Sequence, residues 1–267
     1  MREEKRKKIQ SIMEKFTRKW WFFLLFVVLQ IVPLYVSRDF SMEVFGLAIG
    51  EILSGSLLFD VSFLYPLFKI LPIIMVALII LKGNQFSRLF SLFAGINYIF
   101  IAVLQSMGNS DIYGFGIVLN NLMMFLLVAA GWLWEAQVGR NDFSKRAMKR
   151  RRAWVIPLAV LAFWYPIDAA SFQPNFSPAN IIINEAGLTF CMMTPVYLAT
   201  LILAFPVVNT VTMRILSIVG TIIGLYNVSL NFIINPSELW WNGLLHLPLL
   251  ILSIYSLILS YLKRNEI

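Results

Sequence analysis

The sequence predicts an all-α protein of polytopic transmembrane build, a bundle of about eight spans with both termini in the cytoplasm. Three observations predict it. The 267 residues are 59% hydrophobic and 13% charged, with a mean hydropathy of +0.77, whereas soluble domains are roughly half apolar and a quarter charged. Eight stretches approach the roughly 20 apolar residues needed to cross a hydrocarbon core of about 30 Å. All but two of the 22 lysines and arginines fall in five short segments between or beside those stretches. Positively charged flanks resist translocation, so each basic segment marks a cytoplasmic end. The net charge of +8 thus reflects orientation and attraction to anionic lipid, and no nucleic-acid-binding face with recognition motifs accompanies it.

Residues 1–19 form a basic N-terminal segment in which Ile9, Ile12, Met13 and Phe16 recur at helical spacing, the pattern of an amphipathic helix lying in the membrane interface. The first span, 20–36, follows a basic lead without a small-residue cleavage site and reads as an uncleaved signal anchor. Further spans are expected at 63–81, 88–107, 113–135, 153–170, 188–208, 211–234 and 243–262. They place 82–88, the basic loop 136–152, residues 209–214 and the tail 263–267 on the cytoplasmic side. Trp20, Trp21, Tyr35, Tyr113, Trp132, Trp134, Trp154, Trp240, Trp241 and Tyr261 sit near the expected interfaces, as amphipathic rings prefer. Two outer segments, 41–60 and 172–187, are partly apolar and rich in Gly, Pro, Ser and Asn. Both are too short to span, so they are expected at the outer interface or re-entering beside other helices.

The chain divides into four-helix halves, 20–135 and 153–262, and an internal correspondence hints at a tandem repeat. At an offset of 126, residues 88–126 match 214–252 at seven positions, among them Arg88/Arg214, Ser91/Ser217 and Asn109/Asn235; an offset of 134 aligns Glu51/Glu185 and Pro72/Pro206. Two such halves would share one orientation about an axis along the membrane normal. Phe40-Ser41-Met42-Glu43-Val44-Phe45, placed before a span, with an Arg-led span ending near Gly108-Asn109 and a later half of the same build, resembles an uncharacterised family of small polytopic bacterial membrane proteins. That family's first element typically reads Phe-Thr-x-Glu-x-Phe. Here serine replaces the threonine and an extra span precedes it, and the resemblance implies no activity.

Ionisable groups inside a bilayer are costly and ask for a reason. Lys69, early in the second span, is expected either to snorkel to the outer headgroups or to pair with Glu51 or Asp60. Glu51 and Glu185 recur in similar context, either as solvated loop acids or as two carboxylates sharing a proton or cation site. Asn120 and His246 correspond under the repeat and suit either interhelical hydrogen bonding or the lining of a polar path. Single Cys191 and His246 offer no disulfide or Cys/His metal set, and no phosphate loop, zinc-protease or dinucleotide motif occurs. The expectation is a protein without cofactor, whose partners are the bilayer and anionic lipid at its cytoplasmic face, with a protein partner or a second copy left open. Transport or conduction of a small solute or ion in a bacterial or archaeal plasma membrane is the leading function. A noncatalytic membrane subunit or assembly factor is the alternative, and a lipid-active enzyme at the outer interface the third.

Overall fold

The computed structural model describes residues 3–168 and 171–262; Arg2 and the expected basic tail at Lys263 and Arg264 lie outside them. The N-terminal segment is helix α1 (Glu3–Thr17). It is docked rather than only interfacial: Gln10 and Thr17 are buried, Met13 packs on the core, and Ile12 and Phe16 face outward.

The first expected span is helical only over ten residues, α2 (Trp20–Leu29). Pro33 lies just beyond, and the Gln30 side-chain amide folds back to donate to the Phe26 carbonyl at 2.9 Å, consuming an acceptor a longer helix would use. After strand β1 (Tyr35–Val36) the outer segment forms α3 (Phe45–Ser54) and α4 (Leu57–Asp60). Then come α5 (Tyr65–Lys82) and α6 (Ser87–Ser106).

Where an outer turn and the start of a span were expected, the chain makes a β-hairpin, β2 (Met107–Ser110) and β3 (Gly114–Ile117). It joins β1 in a three-stranded antiparallel sheet of order β1-β3-β2, with Tyr35 and Met107 both opposite Ile117. Leu34, Ala48, Ile52, Tyr113 and Val118 form a small separate core beneath it. Helix α7 (Leu119–Val138) ends at Gly139 in the left-handed conformation, φ +65, which a glycine adopts without a Cβ penalty.

In the second half, α8 (Val155–Trp164) is again ten residues, not the expected 153–170. Pro166 disfavours helical backbone at Tyr165, which takes φ +51 instead. The outer segment 172–187 contains α9 (Asn180–Ile183) and the turn Glu185–Leu188. It bends by 94° at Thr189 into α10 (Phe190–Ala204). Helix α11 (Thr210–Ser229) runs into a π-turn, Leu230–Ile234, and α12 (Pro236–Tyr261) completes the bundle.

Among the described residues five helical stretches are long and apolar enough to cross a membrane, Ser62–Gln85, Ser87–Ser106, Leu119–Val138, Thr210–Ile234 and Pro236–Tyr261. A sixth is added if the bent pair Asn180–Leu188 and Phe190–Ala204 counts as one span. The expected spans at 20–36 and 153–170 are too short as helices to join them. Helices α6 and α7 pack as one hairpin, α11 and α12 as another, and α10 lies among α6, α8, α11 and α12. Its Tyr197 meets Phe90, Tyr98 and Trp132 at ring-centroid distances of 5.9, 5.4 and 5.5 Å, so an aromatic cluster locks the first half onto the second.

Candidate functional site

The last four carbonyls of a helix have no partner within it, and their dipoles favour a cation. Among the described residues three buried cations occupy such positions, each against the ring of a residue near that helix end. Arg152 donates to the Ile202 carbonyl at 3.3 Å and to that of Phe205, with its guanidinium 5.2 Å from the Phe205 ring centre, at the end of α10. Arg214 donates to Ser260 O and to Thr17 Oγ1, both at 2.7 Å, and lies 5.0 Å from the Tyr261 ring centre, joining the ends of α12 and α1. Lys69 donates from Nζ to the Phe163 carbonyl near the end of α8 and sits 4.2 Å from the Phe163 ring centre.

Lys69 is 0% exposed, which overturns the snorkelling expectation: the short helix α8 ends inside the protein and supplies acceptors there. Pairing with Glu51 or Asp60 is corrected as well. The acid carried on the turn that packs against α5 beside Lys69 is Glu185, although no ion pair within 4.0 Å joins them among the described residues. Glu185 reaches this position because the turn that carries it lies against α5. A Cβ built on Gly187 would stand 2.2 Å from the Phe68 carbonyl, so only glycine permits that backbone contact, one residue from Lys69.

Irregular backbone at membrane depth must find partners in the protein, and α6 provides them. Asn97 Nδ2 donates to Gly187 O at 3.1 Å, and Gln105 Oε1 accepts from the Phe190 N–H at 2.8 Å. Asn184 donates to the Trp164 and Tyr165 carbonyls at 2.9 and 3.0 Å, completing the end of α8 beside Lys69. From Tyr165 a polar seam continues: its hydroxyl donates to Asn242 Oδ1 at 3.1 Å, Asn242 Nδ2 to Asn231 Oδ1 at 2.9 Å, and Asn231 Nδ2 to Asn227 O at 2.6 Å. His246 Nδ1 meets Asn242 O at 2.7 Å.

The structure therefore brings Lys69, Glu185 and, through the asparagines, His246 into one region. Glu51 and Asp60 are exposed; Glu51 accepts from Ser110 Oγ at 3.5 Å, and no hydrogen bond or ion pair joins it to Glu185 among the described residues. Asn120 lies on α7 and donates to Gln30 Oε1 at 3.2 Å, tying α7 to the end of α2. Tyr165, Asn184 and Asn242 did not emerge from the sequence. The Tyr165-Pro166 pair was the available signal, since a helix stopped there leaves carbonyls in need of donors. No group of three or more His, Cys, Asp or Glu that would hold a metal ion occurs among the described residues.

The long apolar helices make this a helical bundle compatible with a membrane protein. Comparison with known protein families, with curated proteins and with solved structures returns no match.

Proposed function

We propose that this chain is a transporter-like or channel-like protein for a small solute or ion, resident in a plasma membrane, with Lys69 and Glu185 at its centre. The reading includes eight crossings with both termini cytoplasmic, two of them made by the ten-residue α2 and α8, each about half the needed length, together with the non-helical residues that follow them. One observation carries it: a fully buried lysine held at the end of an interrupted helix, beside the acid of a bent outer segment. Such helix breaks provide ion and substrate sites in transporters because they expose uncommitted backbone dipoles inside the membrane. A buried lysine and a nearby carboxylate bias each other's charge state, so an ion or solute arriving between them can take the place of one partner, and the asparagine seam to His246 offers a polar lining beyond it.

Proton or cation flux into liposomes carrying the purified protein tests this. Lys69→Gln and Glu185→Gln are each expected to lower flux at least tenfold relative to wild type, while Glu51→Gln leaves it unchanged. Identical background leak in all four proteins would sink the transport reading.

The subunit reading is favoured by a different observation. A pocket of about 640 Å³ beside α1 is lined by Arg6, Lys7, Arg88 and Arg140 with Glu3 and Glu14, a surface suited to an acidic partner segment. Stoichiometric copurification of a second protein in mild detergent, abolished by Arg6→Glu, would move the conclusion there.

A further inference from the structure

Helices α5 and α8 stand apart on either side of α10, and the space between them is an apolar groove of about 720 Å³, within the ~300–1,000 Å³ range of sites that enclose small organic ligands. Its walls are Ile73 and Ile80 of α5 and Ile156 and Val160 of α8, and its floor includes Ala199 of α10. The separation follows from the site above, where Lys69 reaches across to the Phe163 carbonyl at one end of α8. Trp164 and Ile181 close that end.

At the other end lie Lys149 and Arg150. Both are exposed, and neither side chain makes a hydrogen bond or ion pair among the described residues. Ten residues of α8 span about 15 Å, so the groove joins an apolar channel of that order to two unengaged cations.

We propose that this groove is a binding site for one anionic membrane phospholipid, an acyl chain lying between α5 and α8 and the phosphate held by Lys149 and Arg150. The occupant follows from the chemistry. A peptide backbone would find almost no hydrogen-bond partner along these side chains, whereas an acyl chain needs none. Two free cations at the mouth select an anionic headgroup over a zwitterionic one; basic pockets between membrane helices recognise such headgroups.

The experiment uses the full chain purified in mild detergent and incubated with phosphatidylglycerol or phosphatidylcholine, retained lipid being counted by native mass spectrometry. One phosphatidylglycerol is expected per chain, favoured about 30-fold over phosphatidylcholine, the equivalent of about 2 kcal/mol from two basic residues. The Lys149→Gln, Arg150→Gln double variant should bring the two lipids to near parity. Val160, 57% exposed, tolerates replacement, so Val160→Cys coupled to a long-chain alkyl thiosulfonate fills the groove without disturbing the core. It is expected to abolish phosphatidylglycerol retention, with reagent-treated wild type, whose Cys191 is buried, as control. Equal retention of both lipids by wild type, or retention unchanged by the tethered chain, would overturn the proposal.

Discussion

Helices α5 and α10 occupy corresponding places, each the first helix after an outer segment and each followed by a long-helix hairpin, yet they live in different solvents. In α10 all residues but Val196 and Leu203 are buried. In α5 only Tyr65, Phe68, Lys69, Pro72 and Ile79 are; Leu67, Ile70, Ile73, Ile74, Ile80 and Leu81 are exposed, and Met75 and Val76 are half-buried against the core. Overall apolarity cannot separate the two, because lipid tails are as apolar as a protein core. The difference lies in residue type: α10 carries Cys191, Thr194, Ala199, Thr200 and Ala204, whereas α5 is dominated by large aliphatic side chains. Small and hydroxyl-bearing residues let helices approach and bond, so they mark the helix that belongs at the centre.

The largest expected effect tests that contrast directly. Tyr197→Ala empties the middle of the aromatic cluster and removes the 2.8 Å bond to Asn97; it should cost about 3–5 kcal/mol. Ile73→Ala on the outward face of α5, 44% exposed, should cost under about 1 kcal/mol, because lipid replaces the lost contacts. Unfolding by denaturing detergent, followed by circular dichroism, measures both; equal losses would erase the distinction between centre and periphery.

Next come the helix ends. Arg152→Met leaves the end of α10 without its buried donor, at about 2 kcal/mol. Lys82→Met in the last turn of α5 removes only an exposed charge near the dipole, about 0.5 kcal/mol. A smaller contrast is Asn97→Ala against Asn120→Ala. The first frees Gly187 O and the Tyr197 hydroxyl and should approach the ~1.7 kcal/mol upper end of membrane hydrogen bonds; the second should stay near their ~0.6 kcal/mol mean.

The smallest effect is expected in the loop outside the bundle. The Ser144 N–H, at 2.8 Å, holds the Asp142 carboxyl below the usual range, and the Asn84 amide at 2.8 Å adds to this. Because the folded value lies below the unfolded one, this contribution is complete above the ordinary aspartate value of about 4 and is lost as pH falls through the folded value. Asp142→Asn should remove that part of the acid dependence of thermal unfolding and leave stability at pH 7 slightly reduced.

Much of the helix layout is legible from apolar length and charge placement: 88–107 and 211–234 match helical stretches at Ser87–Ser106 and Thr210–Ile234 within a residue. An apolar stretch long enough to span is not always one helix. Stretches 20–36 and 153–170 are long enough, but proline chemistry at Pro33 and Pro166 stops both near ten residues, and Gly114 and Gly116 turn the start of 113–135 into a strand. Of the candidate site, Lys69 and Glu185 were visible as oddly placed charges. Their relation was not, since it depends on where α8 ends and on the Gly187 contact with Phe68, neither of which has a hydropathy signature.

The three buried cations also set an order of events during synthesis. Arg214 precedes its acceptor on α12 by 46 residues, Arg152 precedes Phe205 by 53, and Lys69 precedes Phe163 by 94. Each charge is therefore made before the helix-end carbonyl that will receive it. Lys69 waits longest; an unpaired lysine at the centre of a helix costs about 2.5–3.5 kcal/mol to insert, and Lys69, in the second turn of α5, bears less than that. It rides on the most hydropathic of the five long stretches, whose excess of isoleucine and leucine keeps the nascent helix in the bilayer until the second half is made.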